Sequence, residues 1–237
     1  MLDAAAKAEL MRALGRLVRG LSALFWGLPL ALVVCVRTAM GDSPRPLGFL
    51  PPTIGAAVGI LPPVVVMSLL FYGVLQLGHF QKQERIWRLA VERAQILGIV
   101  NIGLAPFIFW WNQLPYVSFY FAAVALLMLC SMLFLFNLNH VLHRLSAMLP
   151  DETLRSETKL FTSVNIFLLV IVLTLVAVYI GLEQSSALPE FFARLLRALE
   201  ALKHWLLVFL VLLPLALTMT LIWKIKEVIL ASVFEAS

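Results

Sequence analysis

Residues 205–223 read WLLVFLVLLPLALTMTLIW, and this stretch decides the fold. It holds no charge, and its two tryptophans, Trp205 and Trp223, stand about 27 Å apart along an α-helix. The hydrocarbon core of a bilayer is about 30 Å thick, and Trp collects at both of its faces. The spacing therefore predicts a helix that crosses a membrane with an indole at each interface. Lys224 and Lys226 follow at once, as a cationic end should.

Five more apolar runs of spanning or near-spanning length precede it, at about 20–36, 53–77, 96–111, 117–138 and 160–182. The fold class expected is an all-α integral membrane protein, a six-span transmembrane helical bundle. Amphipathic interfacial helices are expected at the N terminus and on the periplasmic side. Composition agrees: hydrophobic residues make up 62% of the chain and charged ones 13%, against about 45–50% and 25% in soluble domains. Neither a soluble core nor a disordered chain is compatible with those values.

All thirteen Asp and Glu residues lie outside the six runs. A carboxylate in lipid is expensive and is usually kept for proton or cation traffic. Its absence removes the simplest pump and proton-coupled carrier mechanisms. The two cysteines, Cys35 and Cys130, each sit inside a run and read as small buried hydrophobes. The first run resembles a signal peptide only in part. Its basic leader is long and no A-x-A site follows, and Val34 occupies the small-residue place of a lipoprotein box. It reads as a retained span.

Lys and Arg sort the loops. Lys7, Arg12, Arg16 and Arg19 precede span 1, and Lys82, Arg85, Arg88 and Arg93 join spans 2 and 3. Arg144, Arg155 and Lys159 join spans 4 and 5, and Lys224 and Lys226 close the chain, making thirteen on one side against five on the other. By the positive-inside rule both termini are expected to be cytoplasmic, in a bacterial cytoplasmic membrane. The organisation predicted is a cytoplasmic-side amphipathic helix over 1–19, one six-span membrane domain over 20–226, and a tail over 227–237. In the first, Leu10, Leu14, Leu17 and Val18 share a face apart from Arg12, Arg16 and Arg19. An outer amphipathic helix is expected over 189–203, opened by Pro189. In the linker 145–160, Pro150, Asp151 and Glu152 predict the first turn of a helix that runs into span 5.

The polar residues within or beside the spans are amides and imidazoles. Asn101 and Asn165 lie in spans 3 and 5. Asn137, Asn139, His140 and His143 lie where span 4 leaves the membrane, and Gln76 and His79 at the corresponding end of span 2. A shift of 64 residues sets His79 on His143 and Val100-Asn101-Ile102 on Val164-Asn165-Ile166. That is a weak internal repeat of span, basic linker, span. If the copies are real, these groups converge on a polar vestibule for a solute or ion between spans 2–5. Otherwise they are interhelical hydrogen bonds. His140 and His143, at i and i+3, share a helix face, but the acids that would complete a metal site are missing from the spans, so no metal and no cofactor is expected. Pro62-Pro63 in span 2 predicts a strong kink, or a half-helix ending near residue 61. Gly55 and Gly59 before it form a small-xxx-small packing pair, whereas Pro29, Pro106 and Pro214 stand alone.

No HExxH, G-x-S-x-G, P-loop or dinucleotide fingerprint is present. The basic residues form short clusters between spans without interleaved aromatics, so nucleic acid is not an expected partner. Expected partners are the lipid bilayer and other membrane proteins or further copies of the chain. The leading reading is a non-enzymatic accessory or scaffold subunit of a membrane complex. A small-solute or ion carrier or channel is the alternative, and an intramembrane enzyme ranks third.

Overall fold

The structure is a computed structural model. It describes residues 4–41, 52–80, 84–148, 152–183 and 212–231. Every element among the described residues is helical: α1 Ala4–Ala39, α2 Pro52–Leu77, α3 Arg85–Leu104, α4 Pro106–Gln113, α5 Ser118–Met148, α6 Glu152–Glu183 and α7 212–231. Together they form an all-α bundle. Five stretches are long and apolar enough to cross a membrane: Met11–Ala39, Ala57–Leu77, Arg85–Gln113, Ser118–Met148 and Ser156–Thr174. For the expected sixth span, residues 212–223 are helical. Residues 205–211, the outer amphipathic helix at 189–203 and the tail from 232 lie outside the described residues.

Helix α1 differs from expectation. No break separates an interfacial helix over 1–19 from a span at 20–36, because one helix runs from Ala4 to Ala39. Leu17 is completely buried, and Leu14 and Val18 pack on the core. Much of the apolar stripe assigned to a leaflet surface thus lies against protein, while Arg12, Arg16 and Arg19 stay exposed.

Helix α2 runs as one element through Pro62 and Pro63, so of the two outcomes the pair predicted, a kink or a half-helix ending near residue 61, the second does not occur. The interruption falls instead at Pro106. This residue has no N–H to give the Ile102 carbonyl, and its ring crowds that carbonyl. Ala105 keeps helical angles (φ −53°, ψ −39°) and donates to the Asn101 carbonyl at 2.9 Å. The helical course therefore continues while one rung is lost. Asn112-Gln113-Leu114-Pro115, turn-forming residues between the apolar runs 96–111 and 117–138, make a tight turn: α4 ends at Gln113, and Leu114 N–H closes on Trp110 O at 2.9 Å. Around it Trp110 stacks on Tyr120, and Phe107 meets Phe119 edge-on. Helix α6 begins at Glu152, as the start signal implied.

Helices α1 and α2 approach closely through glycine. A Cβ on Gly20 would lie 2.8 Å from the Gly73 carbonyl oxygen, and one on Gly73 would lie 2.7 Å from Leu24 Cγ. Gly59 does pack tightly, but on the Phe109 ring of α4. At the other end of α1, Gly41 (φ +77°) sits against the Asn112 side chain. Helix α7 packs on both α1 and α6, with Trp223 against Phe25 of α1 and Lys224 paired with Glu157 of α6.

The 64-residue shift also relates buried positions. In α2, residues 59, 63, 66, 70, 74 and 77 are buried, as are 123, 127, 130, 134, 138 and 141 in α5. Along α3 and α4, 94, 98, 101, 105 and 108 match 158, 162, 165, 169 and 172 in α6. The two hairpins present their core faces in one register.

Candidate functional site

Three helices meet at one polar node. Asn139 of α5, Asn165 of α6 and Thr218 of α7 are each no more than 1% exposed. Asn139 Nδ2 donates to its own helix at Leu135 O, 2.8 Å, and to Thr218 Oγ1, 3.1 Å. Asn165 Nδ2 donates to Thr218 Oγ1 at 2.8 Å and to Pro214 O at 3.2 Å. The Thr218 hydroxyl donates back one turn to Pro214 O at 2.8 Å. Position explains the convergence: α5, α6 and α7 run alternately up and down. Asn139, Asn165 and Thr218 then fall at one level, and each lies on the face its helix turns inward.

A donor count defines what the node can do. Each amide has two N–H groups and the hydroxyl one O–H, and the five bonds above use all five donors. The Thr218 oxygen accepts twice, which fills both lone pairs. Acceptors are left over. Asn165 Oδ1 is buried with no donor, and Asn139 Oδ1 has only a long 3.4 Å contact to Thr218. The node ties helices together and retains the capacity to accept a proton donor or a cation.

The oxygen surplus extends along α6. Thr158 and Thr162 share the buried face of Asn165 at helical spacing, and both hydroxyls lack a partner. Asn101 of α3, at the position the repeat relates to Asn165, is likewise buried with an unpaired Oδ1.

Hydrogen bonds bring together two of the eight predicted vestibule residues, Asn139 and Asn165. Asn137 is folded back on Leu133 O at 3.0 Å. His79 lies in the turn after α2 with Nδ1 on Leu75 O at 2.9 Å. Gln76 flanks the Gly20 contact. His140 is exposed and shares its end of α5 with His143. Among the described residues, no group of three or more His, Cys, Asp or Glu is placed to hold one metal ion. A separate hollow of about 300 Å³ opens at the α2–α3 turn, lined by Gly78, Trp87, Arg88, Val91, Glu92 and Gln95. Its charges, Arg88 and Glu92, pair with each other at 3.4 Å.

Sequence reasoning missed Thr218, Thr158 and Thr162. Thr218 carried no signal beyond the general tendency of a helical hydroxyl to bond the carbonyl one turn back, as Thr38, Ser68, Thr174 and Thr220 also do. Thr158 and Thr162 carried only their i, i+4 spacing ahead of Asn165.

No protein-family model, curated protein or solved structure matches the chain. Its helices and the buried node between them are those of a polytopic α-helical membrane protein.

Proposed function

We propose that this chain is a non-enzymatic accessory or scaffold subunit of a membrane complex, acting through other membrane proteins or further copies of itself. It would be a single six-span domain with both termini cytoplasmic, in a bacterial cytoplasmic membrane. The observation that carries this reading is the use of polar groups in α5–α7. Asn139, Asn165 and Thr218 bond to one another inside a sealed contact, where they hold helices together. Wide apolar faces complete the picture: Trp26, Val65, Ile96, Phe121 and Phe167 are all more than half exposed, on five different helices. Gentle-detergent purification from the native membrane tests the proposal. A stoichiometric companion, or a defined homo-oligomer with no transport activity, supports it. A lone monomer that moves solute in liposomes removes it. Cysteine labelling in the 82–93 and 184–203 segments tests the threading, and equal accessibility from one side would overturn six spans.

A second reading, a small-solute or ion carrier, is favoured by one observation. Thr158, Thr162, Asn165 and Asn101 keep buried oxygens without donors, as groups awaiting a cation or a file of water would. Asn101→Leu combined with Asn165→Leu separates the two readings. A carrier loses flux in that variant while still folding, whereas a subunit keeps its partner.

A further inference from the structure

Helices α3 and α5 pack against each other. Trp110 on Tyr120 fixes their antiparallel register at one end. Counting the same distance back along α3 and forward along α5 puts Arg93 level with Asn137, about one helical turn from His140. That count starts from Trp110 in α4, which continues the helical course of α3 through Ala105. Helix α3 turns Gln95 and Gly98 toward α2, where they meet Gly78 and Phe71. Arg93 stands about 200° round the helix from Gln95, on the flank beside α5. On α5, Asn139 faces α7, while His140 and Arg144, one turn apart, lie on another face. Arg93 and Arg144 both act electrostatically on His140, so two guanidiniums and an imidazole stand together where α3 meets α5.

Three features give this boundary a ligand. Helix α5 has no carboxylate at all, and the only one within α3, Glu92, is engaged by Arg88. Among the described residues, neither α3 nor α5 offers Arg93 and Arg144 a free carboxylate. Arg93 and His140 are exposed. Deeper along the same flanks come Ile96 and Val100 of α3 and Leu133 of α5, all exposed. A cationic rim above an apolar groove at a helix–helix boundary has the chemistry of a lipid with an anionic head.

We propose that the crevice between α3 and α5 seats an anionic phospholipid. Arg93, His140 and Arg144 hold its phosphate, and its acyl chains lie along Ile96, Val100 and Leu133. The groove below the cations selects a lipid over free phosphate. The seat is independent of whether the chain is a subunit or a carrier.

The test uses the full chain, delipidated in detergent and titrated with dioleoyl phosphatidylglycerol or dioleoyl phosphatidylcholine under native mass spectrometry. The anionic lipid is expected to bind about thirtyfold more tightly than the zwitterionic one, at roughly one Arg-sized increment per arginine. Arg93→Gln with Arg144→Gln should erase the preference. Arg93→Gln alone, on an exposed side chain, should remove about fivefold of it, and this keeps the test decisive if the double variant folds poorly. Arg88→Gln, on the other flank, should leave it within about twofold. Equal binding of the two lipids by the native chain overturns the proposal. So does a preference that survives Arg93→Gln undiminished, or full displacement by inorganic phosphate, which would make the rim a soluble-anion site.

Discussion

Helices α2 and α3 and helices α5 and α6 are two hairpins with one burial register, but each is joined to its outer neighbour by different means. The first meets α1 through glycine. Gly20 and Gly73 bring two backbones so near that a single added methyl would strike the opposite carbonyl or a leucine branch. The second meets α7 through hydrogen bonds, with Asn139 and Asn165 both on the Thr218 hydroxyl. In lipid the surrounding solvent is as apolar as the side chains, so burial alone drives little association. Close packing of small residues and interhelical hydrogen bonds are the two remedies. This chain uses one on each side. Corresponding positions also differ in polarity: Ala94 and Gly98 in α3 stand where Thr158 and Thr162 stand in α6.

The comparison can be broken hardest on the glycine side. Gly20→Val should destabilise the folded chain by about 2–3 kcal/mol, because the new atoms meet backbone that cannot swing away. Gly15→Ala is the matching control. Nothing lies within 4 Å of a Cβ there, so the gain in helix propensity should raise stability by about 0.5–1 kcal/mol. Thermal unfolding in detergent reads both, and equal effects at the two positions would end the argument for a glycine joint. On the polar side, Thr218→Val keeps shape but strips the acceptor from two amides. A loss of about 1–2 kcal/mol is expected, and no loss would mean the amides find other partners. Asn101→Leu sharpens the contrast. It removes an unpaired buried oxygen, so stability should hold or rise by up to about 1 kcal/mol. The smallest effect belongs to the partly exposed Lys224–Glu157 pair. Glu157→Gln should cost about 0.2–1 kcal/mol at low salt and almost nothing at high salt.

The membrane class was readable from the apolar runs because lipid imposes length and composition together, and the α4–α5 turn was readable because Asn, Gln and Pro interrupt a run abruptly. Helix ends were harder. Arg12, Arg16 and Arg19 end an apolar run but not a helix, since α1 continues through them with Leu17 buried. Proline was misleading in both directions. Pro62-Pro63 leaves α2 continuous, while the single Pro106 interrupts the ladder. Whether a lost rung ends an element depends on neighbours that sequence does not display. At the candidate site, Asn139 and Asn165 were legible as amides in lipid. Their convergence depended on Thr218, a common residue in an ordinary-looking run. The 64-residue correspondence was legible only faintly, because it shows more in which positions are buried than in residue identity. The His79 and His143 match that suggested it does not survive in local structure: one lies in a turn, the other within a helix.

Helix α1 is 36 residues long, or about 54 Å of α-helix. Even at a tilt of 40°, the steep end of what bilayers accommodate, it rises about 41 Å through a core of about 30 Å. Two turns or so must stand clear of the hydrocarbon, and Arg12 and Arg16 are exposed there. Gly20 on Gly73, Gly27 on Leu70 and Gly41 on Asn112 hold the rod at three heights, so the stretch outside the hydrocarbon is carried rigidly by the part inside it.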